Sequence, residues 1–220
     1  MVVSHCKPTQ PITVGVLALQ GAFIEHINVL RQLPEVKFAL AVRTPAELEN
    51  VDALVIPGGE STSMALIAER MGMMEPLRKF IHSGKPCWGT CAGMILLADE
   101  ATSTKKGGQS LIGGLRISVN RNQFGSQRDS FEMDLSIPCI GDQKFHAVFI
   151  RAPVITEIKD PENVEVLAKL EQAVGQTASE AIVAVRQGPL MATAFHPELT
   201  MDSRMHRYFV RMAQEYVAKV

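Results

Sequence analysis

Gly89-Thr90-Cys91-Ala92-Gly93 sets one cysteine between two glycines, where the apolar stretch Lys85-Pro86-Cys87-Trp88 gives way to the helix-like run Met94-Ile95-Leu96-Leu97-Ala98. A strand that turns sharply into a helix presents the intervening side chain at the helix N-terminus. There the macrodipole and unpaired N–H groups favour a thiolate, the nucleophilic form of cysteine. Glycines two residues to either side tolerate the close backbone packing and unusual dihedrals that such a turn demands. The same pentapeptide also suits a buried structural cysteine between turn glycines. Chemistry requires a base and an oxyanion donor as well.

His196-Pro197-Glu198 supplies a base with a carboxylate two residues on. In an extended backbone those two side chains point to one side, and Pro197 biases His196 towards that conformation. Glu198 can then orient the imidazole while its second nitrogen faces Cys91, giving nucleophile, base and orienting carboxylate. A strand-end histidine in an ordinary surface pair is the other reading of the same tripeptide. The remaining histidines fit the role less well: His5 lies in a loose start, His82 at a helix end and His146 in mid-strand, while His26 and His206 sit on helices with no carboxylate two residues on. Pro57-Gly58-Gly59-Glu60-Ser61-Thr62-Ser63 leaves backbone N–H groups unobstructed just before a helix. It suits an oxyanion or carboxylate site, and equally a plain βα turn with a serine cap. An N–H from Gly58 or Gly59 together with that of Ala92 would complete an oxyanion hole. Arg121 and Arg151 each stand beside a turn or strand end, where an arginine can take a carboxylate or remain solvated.

The elements that must position these residues follow from the hydrophobic pattern. Ile12 to Leu19, Val36 to Val42 and Asp52 to Ile56 read as strands, and the first is a β-branched run suited to a sheet buried on both faces. Helices are expected from Ala22 to near Pro34, through Met64 to Met71 and over Glu75 to His82, with a short turn or helix at Pro45 to Leu48. This order is α/β winding around a mostly parallel sheet, whose ligands lie at the carboxyl ends of the strands. Leu115 to Val119, Phe131 to Ile137 and Phe145 to Ile150 read as antiparallel strands appended to that sheet. Val164 to Leu170 and Ala181 to Arg186 read as two strands joined by the polar segment Glu171 to Glu180. Leu190 to Phe195 is a further strand, and a final helix from Ser203 carries the stripe Met205, Phe209, Met212 and Tyr216.

The 220 residues are 46% hydrophobic and 20% charged, enough for one globular domain with a sizeable core. A net charge of −1 offers no basic surplus for nucleic acid, and no apolar run approaches the ~20 residues that span a bilayer. The four cysteines contain no CxxC pair. That favours free thiols in the cytoplasm and argues against a metal site. Residues 1–11 carry no signal-like pattern and read as a loose extension; 12–220 read as a single domain.

Leu19-Gln20-Gly21 with Glu25-His26, Pro57-Gly58-Gly59-Glu60-Ser61-Thr62, the Cys91 pentapeptide, Arg121-Asn122 with Phe124-Gly125, Phe149-Ile150-Arg151-Ala152-Pro153 and Phe195-His196-Pro197-Glu198-Leu199-Thr200 together resemble one branch of the class I, triad-type glutamine amidotransferases. That branch comprises the glutaminase subunits of pyridoxal 5'-phosphate synthase. The match runs from about residue 12 to the C-terminus. It implies a flavodoxin-like, three-layer α/β fold and hydrolysis of L-glutamine to glutamate and ammonia, with no cofactor. It also implies delivery of the ammonia to a TIM-barrel synthase subunit that makes the vitamin B6 cofactor and activates the glutaminase by docking. By the same resemblance Cys91, His196 and Glu198 are catalytic, while Gly59, Glu60, Ser61, Arg121, Ile150 and Arg151 bind glutamine. Gln20 lies near the oxyanion site and the synthase interface. Asn120 stands where the family often has an acidic residue, and 102–110 and 171–180 look longer than in compact members. A γ-glutamyl peptidase with the same triad, or a silent assembly subunit, would be the other outcomes.

Overall fold

The computed structural model describes residues 10–102, 108–121, 130–174 and 177–219. Residues 1–9, most of the expected extension, and Asn122, Phe124 and Gly125 lie outside the described residues. Five strands form the parallel half of a ten-stranded sheet: β1 (Ile12–Leu17), β2 (Val36–Val42), β3 (Ala53–Ile56), β4 (Cys87–Thr90) and β12 (Leu190–Thr193), in the order β2-β1-β3-β4-β12. Every residue of β3, β4 and β12 is buried, so these short runs need no polar alternation. Helices α1 (Phe23–Leu30), α2 (Pro45–Glu49), α3 (Ser61–Arg70), α4 (Met74–His82), α5 (Ala92–Leu97) and α6 (Arg204–Val217) flank the sheet. A capping box between Thr44 and Glu47 starts α2. Because β1, β3, β4 and β12 are neighbours and parallel, the segments leaving their carboxyl ends are neighbours too. Those segments carry Gln20, Gly58 to Ser61, Cys91 and His196 to Glu198.

Beyond β12 the sheet continues as β11 (Thr177–Gln187), β9 (Val154–Ile158), β6 (Leu115–Asn120) and β5 (Ala98–Thr102), with β10 (Val164–Val174) on β11. Three expectations are corrected here. The run after Cys91 is helical only to Leu97 and passes directly into β5, a strand whose composition (ADEAT) carries no β signature. The polar segment Glu171 to Glu180 does not merely link two short strands, because antiparallel pairing of β10 with β11 continues out to Val174 opposite Thr177. Finally, β7 (Ser130–Leu135) and β8 (Phe145–Ile150) are not appended to the sheet but form a separate two-stranded ribbon. Aromatic packing accounts for its place. Phe131 stacks on Phe149 at 4.6 Å between ring centres, and Phe149 and Phe145 lie 5.8 and 5.6 Å from Phe195, which follows β12.

Candidate active site

Cys91 sits between β4 and α5 with φ 47° and ψ −103°, a left-handed conformation costly for any residue with a side chain. Its N–H donates to the carbonyl of Thr193 on β12 at 2.8 Å, and its carbonyl accepts from Ile95 N–H at 3.3 Å. The flanking glycines serve close approach. A Cβ on Gly89 would run into the backbone of Gly93 and Met94, and one on Gly93 would collide with the carbonyl oxygen of Ile56 on β3. The unusual dihedrals thus fall on the cysteine itself. The glycines let α5 lie tightly against two strands.

His196 N–H donates to the Val148 carbonyl of β8 at 2.8 Å, so the aromatic ribbon also fixes the histidine backbone. Residues Pro197–Leu199 form a 3-10 turn, not the extended segment expected. That turn still returns the Glu198 carboxylate to the imidazole: Nδ1 of His196 lies 2.8 Å from Oε1 of Glu198, and both residues are buried. Burial alone disfavours the imidazolium, but the hydrogen bonds and charges of Cys91 and Glu198 outweigh it and push His196 up to about 10. The Cys91 thiol also approaches the Ile150 carbonyl at 3.8 Å.

The turn after β1 clamps the loop after β3. Ala22 N–H donates to the Gly58 carbonyl at 3.0 Å, and Glu60 N–H donates to Oε1 of Gln20 at 2.9 Å. On its other side Gly58 abuts Cε1 and Nδ1 of His196 and Cβ of Cys91, with no room for a side chain. The carboxylate of Glu60 caps α3, accepting from Thr62 N–H, Ser63 N–H and the Ser63 hydroxyl at 3.0, 2.7 and 2.7 Å. Partial burial opposes ionisation of Glu60, but these bonds prevail and hold its carboxyl down at about 2. Nη2 of Arg121 reaches both Oε1 of Glu60 (3.3 Å) and the Thr62 hydroxyl (3.2 Å).

A cavity of ≈ 330 Å³ opens beside Cys91 and His196. Its lining includes all six residues expected to bind substrate, Gly59, Glu60, Ser61, Arg121, Ile150 and Arg151, and it also includes Ala92. Arg151 has φ 44°, a second strained side-chain-bearing residue at the same place. Gln20, Gly58 and Glu198 are outside the lining: the first two brace the loop, and Glu198 stands behind His196. Among the described residues no group of three or more His, Cys, Asp or Glu side chains could hold a metal ion. Cys87, Cys91 and Cys139 carry free thiols.

Sequence reasoning missed a buried histidine pair. His26 of α1 lies with Nε2 3.3 Å from Oε2 of Glu198 and 3.2 Å from the Thr90 hydroxyl, while its Nδ1 is 2.9 Å from Nε2 of His206 on α6. Trp88 packs edge-on against both rings at 5.6 and 5.0 Å. A search for a carboxylate near in sequence could not find this pair. The one visible signal was a histidine on the apolar face of each helix.

The sequence matches the model of the SNO glutamine amidotransferase family over residues 16–215. The chain belongs to that family. Two relatives of the chain are each named pyridoxal 5'-phosphate synthase subunit PdxT. The one from Herpetosiphon aurantiacus is 50% identical, over 90% of this chain and 99% of its own length, and the one from a Nocardioides species is 51% identical over 92% and 96%. A crystal structure described as a glutamine amidotransferase superposes with a TM-score of 0.78 at 45% identity, covering 91% of this chain and 98% of its own. The PurLQS structure from Thermotoga maritima, at 15% identity and a TM-score of 0.63, shares the fold alone. The fold of this SNO-family amidotransferase is therefore found well outside its near relatives.

Proposed function

We propose that this chain is the glutaminase subunit of a pyridoxal 5'-phosphate synthase, with Cys91, His196 and Glu198 as its catalytic triad. His196 takes the thiol proton, and the sulfur attacks the side-chain amide carbon of L-glutamine. The resulting oxyanion is held by backbone N–H groups of Ala92 and the Gly58-Gly59 loop. As the tetrahedral centre collapses, the C–N bond breaks and the imidazolium gives its proton to the departing ammonia, leaving a γ-glutamyl thioester. His196 then takes a proton from water, whose oxygen attacks the thioester carbon. Collapse expels the sulfur, which takes that proton back from the imidazolium, and releases glutamate. Glu198 keeps the imidazole in the productive orientation throughout. Glu60, Ser61, Arg121, Ile150 and Arg151 with Gly59 hold the glutamine, and Gln20 braces the loop.

The observation that carries this reading is that one cavity is lined by both Cys91 and His196 together with every residue assigned to glutamine. The names of the relatives support a synthase subunit as partner and vitamin B6 biosynthesis as the use of the ammonia. We place the reaction in the cytoplasm, in residues 12–220 working as one unit, with docking of the synthase needed for full activity. No helix among the described residues is long and apolar enough to cross a membrane. The test mixes the chain with its synthase subunit and measures ammonia from glutamine. Wild-type protein should release it and Cys91→Ala should not. Sustained release by Cys91→Ala, or action on γ-glutamyl peptides without any partner, would overturn the proposal.

A further inference from the structure

Glu198 has no exposed side-chain surface, and a buried carboxylate is tolerated only where its oxygens are met by donors. Oε1 is met by Nδ1 of His196. Oε2 has no well-aligned hydrogen-bond donor among the described residues, and Nε2 of His26 lies 3.3 Å from it. That nitrogen is better directed at the Thr90 hydroxyl at 3.2 Å, so its contact with Oε2 is chiefly electrostatic. The sign of the contact depends on where the His26 proton sits. With a proton on Nε2, the positive edge of the ring stands beside the carboxylate oxygen. With the proton on Nδ1, two lone pairs face each other in a site without water-exposed surface.

The second histidine decides between these tautomers. If Nε2 of His26 carries the proton, its Nδ1 is an acceptor, and Nε2 of His206 at 2.9 Å must be the donor. Nδ1 of His206 is then a bare acceptor, and it is the ring atom that has no partner among the described residues. The opposite arrangement would bury an unpaired N–H there, a rare and costly feature. Burial, and for His26 also its histidine neighbours, holds both rings below their ordinary range, and His206 is brought to about 3, so both are neutral near pH 7. The titratable groups facing this pair are Glu198 and His196, with Cys91 beyond them.

We propose that His26, oriented by His206, is a positioning residue for the reaction: its Nε2–H, bonded to the Thr90 hydroxyl, sets positive charge density beside Oε2 of Glu198 and so keeps Oε1 on Nδ1 of His196. The pair joins α1 near the start of the chain to α6 near its end, and both rings are packed on Trp88 of β4. Neither histidine lines the substrate cavity. Their influence therefore falls on the chemical step and not on glutamine binding. This inference rests on the triad reading above.

The experiment uses the full chain with its synthase subunit. His26→Leu removes the donor, whereas His26→Gln retains an N–H at a similar reach. In His26→Leu, kcat should fall about 10- to 100-fold, as when an orienting outer partner is lost. KM should stay within about 2-fold, and the alkaline limb of the kcat/KM profile should move to lower pH as the imidazolium loses support. His26→Gln should restore kcat to within about 5-fold of wild type. Two-bond ¹H–¹⁵N spectra of the wild-type protein should show His26 and His206 protonated on Nε2, which decides the matter if the leucine variant does not fold. Unchanged kcat and pH profile in folded His26→Leu, equal losses in the Leu and Gln variants, or a proton on Nδ1 of His26 would each overturn it. Cys91→Ala run in parallel separates the two readings. Ammonia release surviving there sinks the triad, whereas an inactive Cys91→Ala beside an unaffected His26→Leu sinks only this inference.

Discussion

Gly58 lies against His196 so closely that a Cβ on the glycine would collide with Cε1 of the imidazole. The loop after β3 is therefore the wall that sets the ring's position, and the clamp from Gln20 and Ala22 leaves it little freedom to retreat. Gly58→Ala should cut glutaminase kcat by at least about 10²-fold, the usual cost of moving a reacting group by an ångström. Melting should shift by less than about 5 °C. Ammonia release and a thermal melt on the same sample check this, and a normal kcat would show that the ring yields freely.

Gly93 makes the opposite prediction. A Cβ there meets the Ile56 carbonyl oxygen, which is held in the centre of the sheet and cannot give way as a side chain can. Gly93→Ala should destabilise the fold by about 3 kcal/mol or more, at the upper end of overpacking costs. The urea midpoint should fall with the slope unchanged.

Acid should destabilise the protein through the buried histidine pair. Both His26 and His206 are held below their unfolded value of about 6.5. As pH falls below that value the unfolded chain takes up protons that the folded state refuses, so unfolding free energy drops by about 1.4 kcal/mol per pH unit for each ring. Above pH ~6.5 neither contributes. Replacing His206 by phenylalanine should flatten the dependence between about pH 6 and 4.5 by one such slope. Urea titrations across that range measure it.

His196 carries the reverse sign. Its pKa is raised to about 10 in the folded state, so the stabilisation it contributes is complete below its unfolded value and is lost as pH rises through that folded value. Because Cys91 is one cause of the shift, Cys91→Ala should lose less stability between pH ~7 and ~10 than wild type. Denaturation at both pH values distinguishes the outcomes.

Arg121 joins Glu60 and Thr62 through one nitrogen, Nη2, at the cavity edge. Lysine cannot reproduce a planar fork that can also present other donors to a carboxylate. Arg121→Lys should raise KM for glutamine about 10-fold, the worth of one charge-assisted hydrogen bond. Because the residue stands away from the reacting amide in this scheme, kcat should change by less than about 3-fold. An unchanged KM would remove Arg121 from the glutamine site.

Much of the parallel half of the fold is legible in local sequence. Short apolar runs such as Ala53–Ile56 admit burial on both faces, and Thr44, Glu47 and Pro45 mark the start of α2 through capping chemistry. The strand β5 is not legible, since Ala98–Thr102 becomes a strand only by pairing with β6. Nor is the detachment of β7 and β8, because alternating residues state that a strand has two unlike faces but not which partner covers the apolar one.

The same boundary runs through the candidate site. By itself the sequence determined the residue types and local turns: a cysteine between glycines at a strand-to-helix junction, a histidine and carboxylate two residues apart, and a glycine pair before a helix. Tertiary structure decided that Cys91 rather than a glycine takes the strained dihedrals, that a 3-10 turn and not an extended segment joins His196 to Glu198, and that His26 and His206 meet behind the carboxylate. Those outcomes depend on contacts between elements far apart in the chain. Backbone preference acts over a few residues, whereas the place of a buried proton is set by whichever donors and acceptors packing brings within about 3 Å.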